Sequence, residues 1–587
     1  MLYREPIPNK HWWLFLLLVF VALYLPHLGV RELRTGEAMQ VAVARDMVST
    51  GNGLETSVFG HPVSALPLYS WLVVAGERLG LPPEWSGRLP AVLAILALAG
   101  LCGRVAARSG GHLAGAMAGA MAMSTLMMLR HGSEAQGDLV CALLLNIAWF
   151  FWYRLGRVYK QWGAAWVVAL MLVTLAAFGM GVGAYVLFYF PLFFLRRPLR
   201  VWPRILNVPH LLAWAGVLTV IGLWLAAVPG QTLLSWKTTL SLMIPQDTGS
   251  YLWHLLLFPL DCAVALLPWS FLVWPAFCVA FRPVERTPIL CRFLRGLILS
   301  LFFAAWLLPD TTPWSLLPVI GPLAVLTGLH ADILLRRHAA PLFRLTGWLA
   351  SGALAASVSG FVLLCLCAAR VVVVDRIPPV QMAMAAVFLG VAVLLTLHLR
   401  RPGINLPFWA RFLLVILCFQ LVVLAVYPPY HAAYCEQRRE LSRRLSQHVP
   451  ATATIYRFGG DFLVAECLYL DRPVRDLPGV AALPVQAQAV YVLGGPKAPI
   501  LETRTWTPVS DAVPLAVRSR PVWQWRPAEG GLLRLNAVPE VPAPERLTLL
   551  RLYRGDLRPV VRELPGVASP PSVTDPNAGG AFEPGFP

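Results

Sequence analysis

The strongest constraint on this chain is a recurrence of apolar stretches, each long enough to cross a lipid bilayer. Backbone groups in hydrocarbon must find their hydrogen bonds within the segment, so a spanning helix takes about 17–25 mostly apolar residues. By that measure the sequence holds about thirteen spans, at 12–29, 88–107, 112–129, 138–156, 162–178, 180–195, 210–229, 256–281, 293–309, 313–332, 345–369, 379–398 and 410–427. A Gly179-Met-Gly-Val-Gly183 break divides one long run into the two short spans at 162–195. Composition agrees: 57% of the residues are hydrophobic and 13% charged, against about 45–50% and 25% in soluble domains. The expected fold is a polytopic α-helical membrane protein.

A formal charge of +18 raises the question of nucleic acid, and the placement of the arginines answers it. They gather in short connections between apolar runs, as in Arg196-Arg197-Pro-Leu-Arg200 and Arg336-Arg337-His338, which is how a membrane protein marks its cytoplasmic side. With the N-terminus inside, the basic connections fall on one side: Arg104/Arg108, Arg154/Arg157/Lys160, Arg196–Arg204, Arg282/Arg286/Arg292, Arg336/Arg337/Arg344 and Arg400/Arg401/Arg411. An odd number of spans then places the chain from about Tyr427 outside the cytoplasm. The run after Lys10 lacks a small-residue cleavage site and reads as a retained helix rather than a removed signal. Nucleic acid is not an expected partner.

The ten cysteines lie mostly inside apolar runs, where they act as small buried hydrophobes, and no spacing suggests a metal knuckle or haem. Cys435 and Cys467 sit in the more polar C-terminal region and are a possible extracytoplasmic pair. The expected organisation is a membrane domain over 1–427, a small α/β domain over 428–565 and a disordered Pro/Gly/Ala-rich tail over 566–587. A charged helix at 436–448 and β-like runs at 453–456 and 489–493 begin the second unit.

Two carboxylates stand out. Residues 30–87 form an outside segment too long for a simple connection, and within it Glu37, Val41, Ala44 and Val48 recur on one helical face. Arg45 follows two turns after Glu37, and 66–81 is amphipathic, suited to a helix lying at the interface. Asp138 closes Arg130-His-Gly-Ser-Glu-Ala-Gln-Gly-Asp138 at the outer mouth of the fourth span. A carboxylate at a membrane boundary is costly unless solvated or paired, which makes it a functional candidate. Such a group suits general-base work on an acceptor hydroxyl or amine. A helix-opening Glu is equally at home as a plain partner of the helix dipole.

The stretch Thr35-Gly-Glu-Ala-Met-Gln-Val-Ala-Val-Ala-Arg-Asp-Met-Val-Ser-Thr-Gly51, with Phe59-Gly-His-Pro-Val-Ser-Ala-Leu-Pro-Leu-Tyr-Ser-Trp71, resembles the first periplasmic loop of bacterial GT-C glycosyltransferases. That group includes the lipid A aminoarabinose transferases and the protein-mannosyltransferase-like enzymes. Gly87-Arg88-Leu-Pro-Ala91 is similar to the start of their second helix, Gly137-Asp138 to their second acidic position, and Pro313-Trp-Ser-Leu-Leu-Pro-Val-Ile-Gly-Pro322 to their late Pro-rich helix. Tyr456-Arg-Phe-Gly-Gly460 and Tyr469-Leu-Asp-Arg-Pro-Val474 resemble a turn and strand of their small periplasmic domain.

The resemblance implies a GT-C fold of about thirteen spans with a small C-terminal periplasmic α/β domain. It implies a bacterial inner-membrane enzyme that moves a sugar, with inversion, from a polyprenyl-phosphate donor to lipid A, a glycolipid or a protein. On it, Glu37 and Asp138 are the candidate catalytic residues. Arg34, Arg45, Arg88 and Arg130 are candidates for the donor phosphate, with Arg31 and Arg78 nearby. The pattern departs from the family at several positions. Gly36 stands where an acid usually precedes the Glu, Met39 where an Arg is common, Ala65 or Leu66 where a Lys precedes Pro, and Thr311 and Ser315 where a Lys and a Tyr occur. Each lost cation removes about 2–4 kcal/mol of stabilisation from a developing phosphate charge. Some relatives hold a divalent ion near this loop, but no ligand set for a metal is evident here, and the lone His61 reads as a surface residue. The alternative reading is a GT-C homologue without the chemistry, acting as a membrane scaffold or lipid-binding partner. A transporter, with Asp261 as its intramembrane charge, is the third.

Overall fold

In the computed structural model, residues 11–557 are described apart from 229–247 and shorter segments, among them 196–198, 200, 369–371, 374–378, 402–405, 435–437, 459–463 and several segments between the later strands. Cys435, Arg196, Arg197, Arg200 and the expected tail at 566–587 lie outside the described residues. Each of the thirteen expected stretches carries helix. Among the described residues, nine helices are long and apolar enough to cross a membrane, or ten if one bent pair counts as a single span.

The difference from thirteen has local causes. The first span is a helix of only 13 residues, α1 (Trp12–Tyr24), which ends where Pro26 enters a 3-10 turn. The span expected at 180–195 is the 11-residue helix Gly183–Phe193, preceded by Gly181 at φ 62°. The span at 112–129 divides into α5 (His112–Ser124) and α6 (Leu126–His131). Extended Thr125 separates them and its hydroxyl accepts from the Met128 amide. The span at 256–281 bends by 100° between Tyr251–Ala265 and Ser270–Phe277, at a Pro268 that cannot continue a helix. One helix, Ile320–Ala368, contains most of the stretch expected at 313–332 and nearly all of that at 345–369.

The elements that position the site come early. After α1 the chain turns into α2 (Thr35–Thr50), a short hairpin at 57–62, α3 (Leu68–Arg78), and the long α4 (Pro83–Gly110). Helix α7 (Asp138–Tyr153) starts just beyond α6. Helices α2 and α3 pack on each other, and α3 covers most of the run read as amphipathic. Its apolar face buries Leu68, Tyr69 and Val73. The core is continuous from α1 through α4, α5, α7 and the late helices. Small residues bring α4 and α5 together: a Cβ on Gly115 would meet the Gly103 carbonyl at 2.8 Å. In lipid, where burying apolar surface gives helices little drive to associate, such close backbone approach supplies the contact.

After helix Arg438–Gln447, strand Ile455–Phe458 pairs in parallel with both Val474–Leu477 and Ala489–Gly494, with the short helix Val464–Leu468 between. Antiparallel pairing with Leu549–Leu557 and then Arg504–Pro508 extends this sheet. Its own core gathers Leu445, Val449, Ile455, Cys467 and Leu493.

Candidate functional site

Glu37 is at the third position of α2, and its carboxylate accepts the backbone N–H of Arg34, the residue that caps the helix, at 2.9 Å. This is half of a capping box, and it explains why a helix begins here after an extended turn. The same carboxylate lies on the side of α2 that faces α4. Arg88, one turn into α4, meets it in a fork: Nε donates to Oε1 at 2.9 Å and Nη2 to Oε2 at 3.1 Å. The Ala135 amide adds a donor at 3.0 Å, and Arg31 Nη2 a weaker one at 3.3 Å. Glu37 is 2% exposed and Arg88 1%.

The pairing is complete on both sides. Arg88 spends its remaining N–H groups on the carbonyls of Leu28 and Arg31 through Nη1 and of Glu32 through Nη2. A guanidinium has five donors, and here all five are engaged. Burial alone would raise the Glu37 pKa. The hydrogen bonds and charge of Arg88 override it, with Arg31 and the Arg34 amide helping, and hold the group down at about 2. A carboxylate this acidic, with its lone pairs occupied, takes up a proton poorly at neutral pH. What it does well is tie three chain segments together: the turn at 28–37, the start of α4 and the loop at 135.

A second chain of contacts runs from α2 to the mouth of α7. Arg34 Nη1 donates to Glu134 Oε1 at 2.6 Å, and Glu134 also receives Gln136 Nε2 at 3.1 Å and faces His131 Nδ1 at 3.3 Å. Burial works to raise the Glu134 pKa, but the bond from His131 and the charges of Arg34 and Arg31 lower it. The His131 ring packs on Trp314 with centroids 5.2 Å apart, and Trp314 Nε1 donates to Asp138 Oδ2 at 3.0 Å. Asp138 itself is exposed. The two carboxylates picked out by sequence are thus linked through Glu134, His131 and Trp314, none of which sequence reasoning assigned a role. Glu134 and His131 lie in the Arg130–Asp138 segment and Trp314 in the Pro-rich one. The residue types were in view there, while the contact across 176 positions was not.

Gly36 is exposed, and a Cβ placed on it would meet nothing within 4 Å. The position where the resembling family carries an acid is therefore open space beside Arg34 and Glu37. The proposed phosphate cations separate into kinds. Arg34 keeps 41% of its side chain exposed, and Arg130 is exposed with no hydrogen bond or ion pair among the described residues. Arg45 is turned away to Glu77 at 3.4 Å and the Leu468 carbonyl at 3.1 Å. Arg88 is enclosed. For a divalent ion the residues do not fit: no group of three His, Cys, Asp or Glu side chains gathers among the described residues, and Glu37 and Glu134 already face arginines.

The underside of the loop is held by the C-terminal region. Glu32 accepts the first two backbone amides of helix Arg438–Gln447, at 3.1 and 2.9 Å, a carboxylate at a helix N-terminus. Arg438 reaches Glu466 at 2.8 Å and the Leu33 carbonyl at 2.9 Å, and Arg439 pairs with Glu84. Tyr469 donates its hydroxyl to Glu84 at 2.9 Å while accepting the Leu33 amide at 2.9 Å.

No family model matches the sequence, and no curated protein matches it. The structure, however, is similar to that of ArnT from Cupriavidus metallidurans bound to undecaprenyl phosphate. The TM-score is 0.61 at 17% identity, over 83% of this chain and 94% of the other. The apo structure of the same protein gives 0.60 at 18%, over 82% and 92%. This chain has the GT-C fold. At such identity the likeness is one of architecture. The roles of Glu37, Asp138 and the arginines rest on the geometry above.

Proposed function

We propose that this protein is a membrane glycosyltransferase that takes a sugar from a polyprenyl-phosphate donor. The observation that carries the reading is Asp138: an exposed carboxylate, oriented by Trp314, on the same contact chain as Arg34, whose side chain is 41% exposed. The acceptor's hydroxyl or amine gives its proton to Asp138 as its oxygen or nitrogen attacks the anomeric carbon. The bond from that carbon to the phosphate oxygen breaks, and the polyprenyl phosphate leaves with the electron pair. Arg34 and Arg130 stabilise the charge that builds on the phosphate. Glu37 and Arg88 are positioning residues that fix the loop on which Arg34 rides. Support for the donor class comes from ArnT, a protein of the same fold that was crystallised with undecaprenyl phosphate. The loop end of the bundle faces the periplasm in this reading, with the N-terminus in the cytoplasm of a bacterial inner membrane.

The second reading, a scaffold or lipid-binding homologue without turnover, is favoured by one observation: Gly36 leaves empty the place of an acid, while Glu37 beside it is fully paired. Purified protein incubated with a panel of polyprenyl-phosphate sugars and envelope acceptors separates the two. Release of polyprenyl phosphate that disappears in Asp138→Asn supports transfer. Saturable binding of undecaprenyl phosphate with no release from any donor gives the scaffold reading.

A further inference from the structure

At the end of α4 away from the loop, a groove of ≈ 680 Å³ runs between α1, α4 and α5. Its size is in the range of small-molecule and lipid-tail sites. Apolar or small residues line most of it, among them Trp12, Leu16, Leu96, Ala99 and Gly100. Two arginines and a histidine close one end: Arg104, Arg108 and His112. Residues 96, 100, 104 and 108 recur every fourth position and so form one face of α4. Along that face a leucine gives way to a glycine and then to two arginines. A Cβ on Gly100 would meet nothing within 4 Å, so glycine keeps this part of the groove floor low. Arg104, Arg108 and His112 are exposed and make no hydrogen bond or ion pair among the described residues.

We infer that this groove holds an anionic phospholipid, with its phosphate on Arg104, Arg108 and His112 and one acyl chain along Leu96–Gly100. The length fits. From Leu96 to Arg108 is about 18 Å at the α-helical rise, slightly more than the ~15 Å depth of one leaflet's hydrocarbon. The chain end of the groove therefore sits near the bilayer midplane and the cations sit at the headgroup level. Arginine suits a phosphodiester because its planar fork donates two parallel hydrogen bonds. The site is distinct from the outer mouth, since the donor phosphate proposed there lies at the opposite end of α4.

Native mass spectrometry on the detergent-solubilised full chain tests this, with phosphatidylglycerol or phosphatidylcholine added at equal concentration. The wild type should retain one phosphatidylglycerol, at least five-fold more than phosphatidylcholine. Arg104→Gln/Arg108→Gln should lose that preference. Gly100→Leu, which fills the groove and leaves every charge in place, should lower retention of both lipids without lowering the melting temperature. Equal retention of the two lipids by the wild type overturns the inference, as does unchanged retention in both variants. If undecaprenyl phosphate displaces the phosphatidylglycerol and is itself lost in Gly100→Leu, the groove belongs to the donor and the inference is wrong. None of these outcomes depends on whether the protein transfers sugar.

Discussion

Glu37 and Asp138 are both acids at the same end of the bundle, and the structure treats them in opposite ways. Glu37 is enclosed, meets a forked arginine, two backbone amides and a second arginine, and is held at a pKa of about 2. Asp138 is exposed, and among the described residues its side chain receives one hydrogen bond, from an indole. A carboxylate surrounded by donors is built to stay ionised and hold parts together. One that keeps most of its lone pairs free is built to meet a ligand. Under the proposed function, Glu37 fixes the loop and Asp138 does the chemistry.

The largest expected effect is on the enclosed pair. Arg88→Ala leaves a buried carboxylate without its fork, and breaking one side of such a pair costs about 3–5 kcal/mol. Thermal unfolding in detergent should show a deep loss of stability. Replacing both partners by apolar residues of similar size, Glu37→Leu with Arg88→Met, should recover much of it, since an isolated buried pair gives little net stability. Failure to recover would show that the carbonyl contacts of Arg88, rather than its pairing with Glu37, hold the loop.

Acid probes the same pair without mutation. The folded pKa of Glu37 is lowered from 4.5 to about 2, so its contribution is present above pH 4.5 and fades as pH falls towards 2. By linkage that contribution is about 3 kcal/mol. Wild-type stability should drop across this window, and Glu37→Gln should flatten that part of the profile.

A smaller effect is expected where the C-terminal helix grips the loop. Arg439→Ala removes one partner of Glu84, but the arginine side chain is 45% exposed and Tyr469 still donates to that carboxylate, so the loss should be about 1 kcal/mol. Limited proteolysis should then cut faster near residue 438, while the bundle remains resistant. A stability change of similar size, but of opposite sign, belongs to Gly36→Asp. Its new side chain enters open space at the start of α2, where an acid is favoured by about 0.3–1 kcal/mol. Sugar transfer should rise in this variant if the empty position limits the wild type, and stay flat if Asp138 alone serves as base.

Much of the bundle was legible because apolar length is a local property: a bilayer tests each run of residues by itself. The count was less secure where a run is broken from within, as at Gly181, Thr125 and Pro268, because those breaks shorten or bend a helix without changing its composition. At the site, residue types were visible and partnerships were not. Arg88 reads from sequence as a phosphate-facing cation, yet its five donors close on Glu37 and three carbonyls, a fact of packing across 51 positions. Asp138 was found at the boundary where a lone charge is expensive, but the Trp314 that orients it comes from a distant helix. The C-terminal arginines that cap and clamp the loop carried no signal, since their partners lie some 350 to 400 positions earlier in the chain.

The division of labour between the two acids is tested most directly by measuring sugar transfer and melting temperature together in Asp138→Asn and Glu37→Gln. Asp138→Asn is expected to lose about 10²–10⁴-fold in rate with its melting temperature unchanged, while Glu37→Gln loses stability. Full transfer by Asp138→Asn, with Glu37→Gln inactive yet as stable as the wild type, would contradict that division.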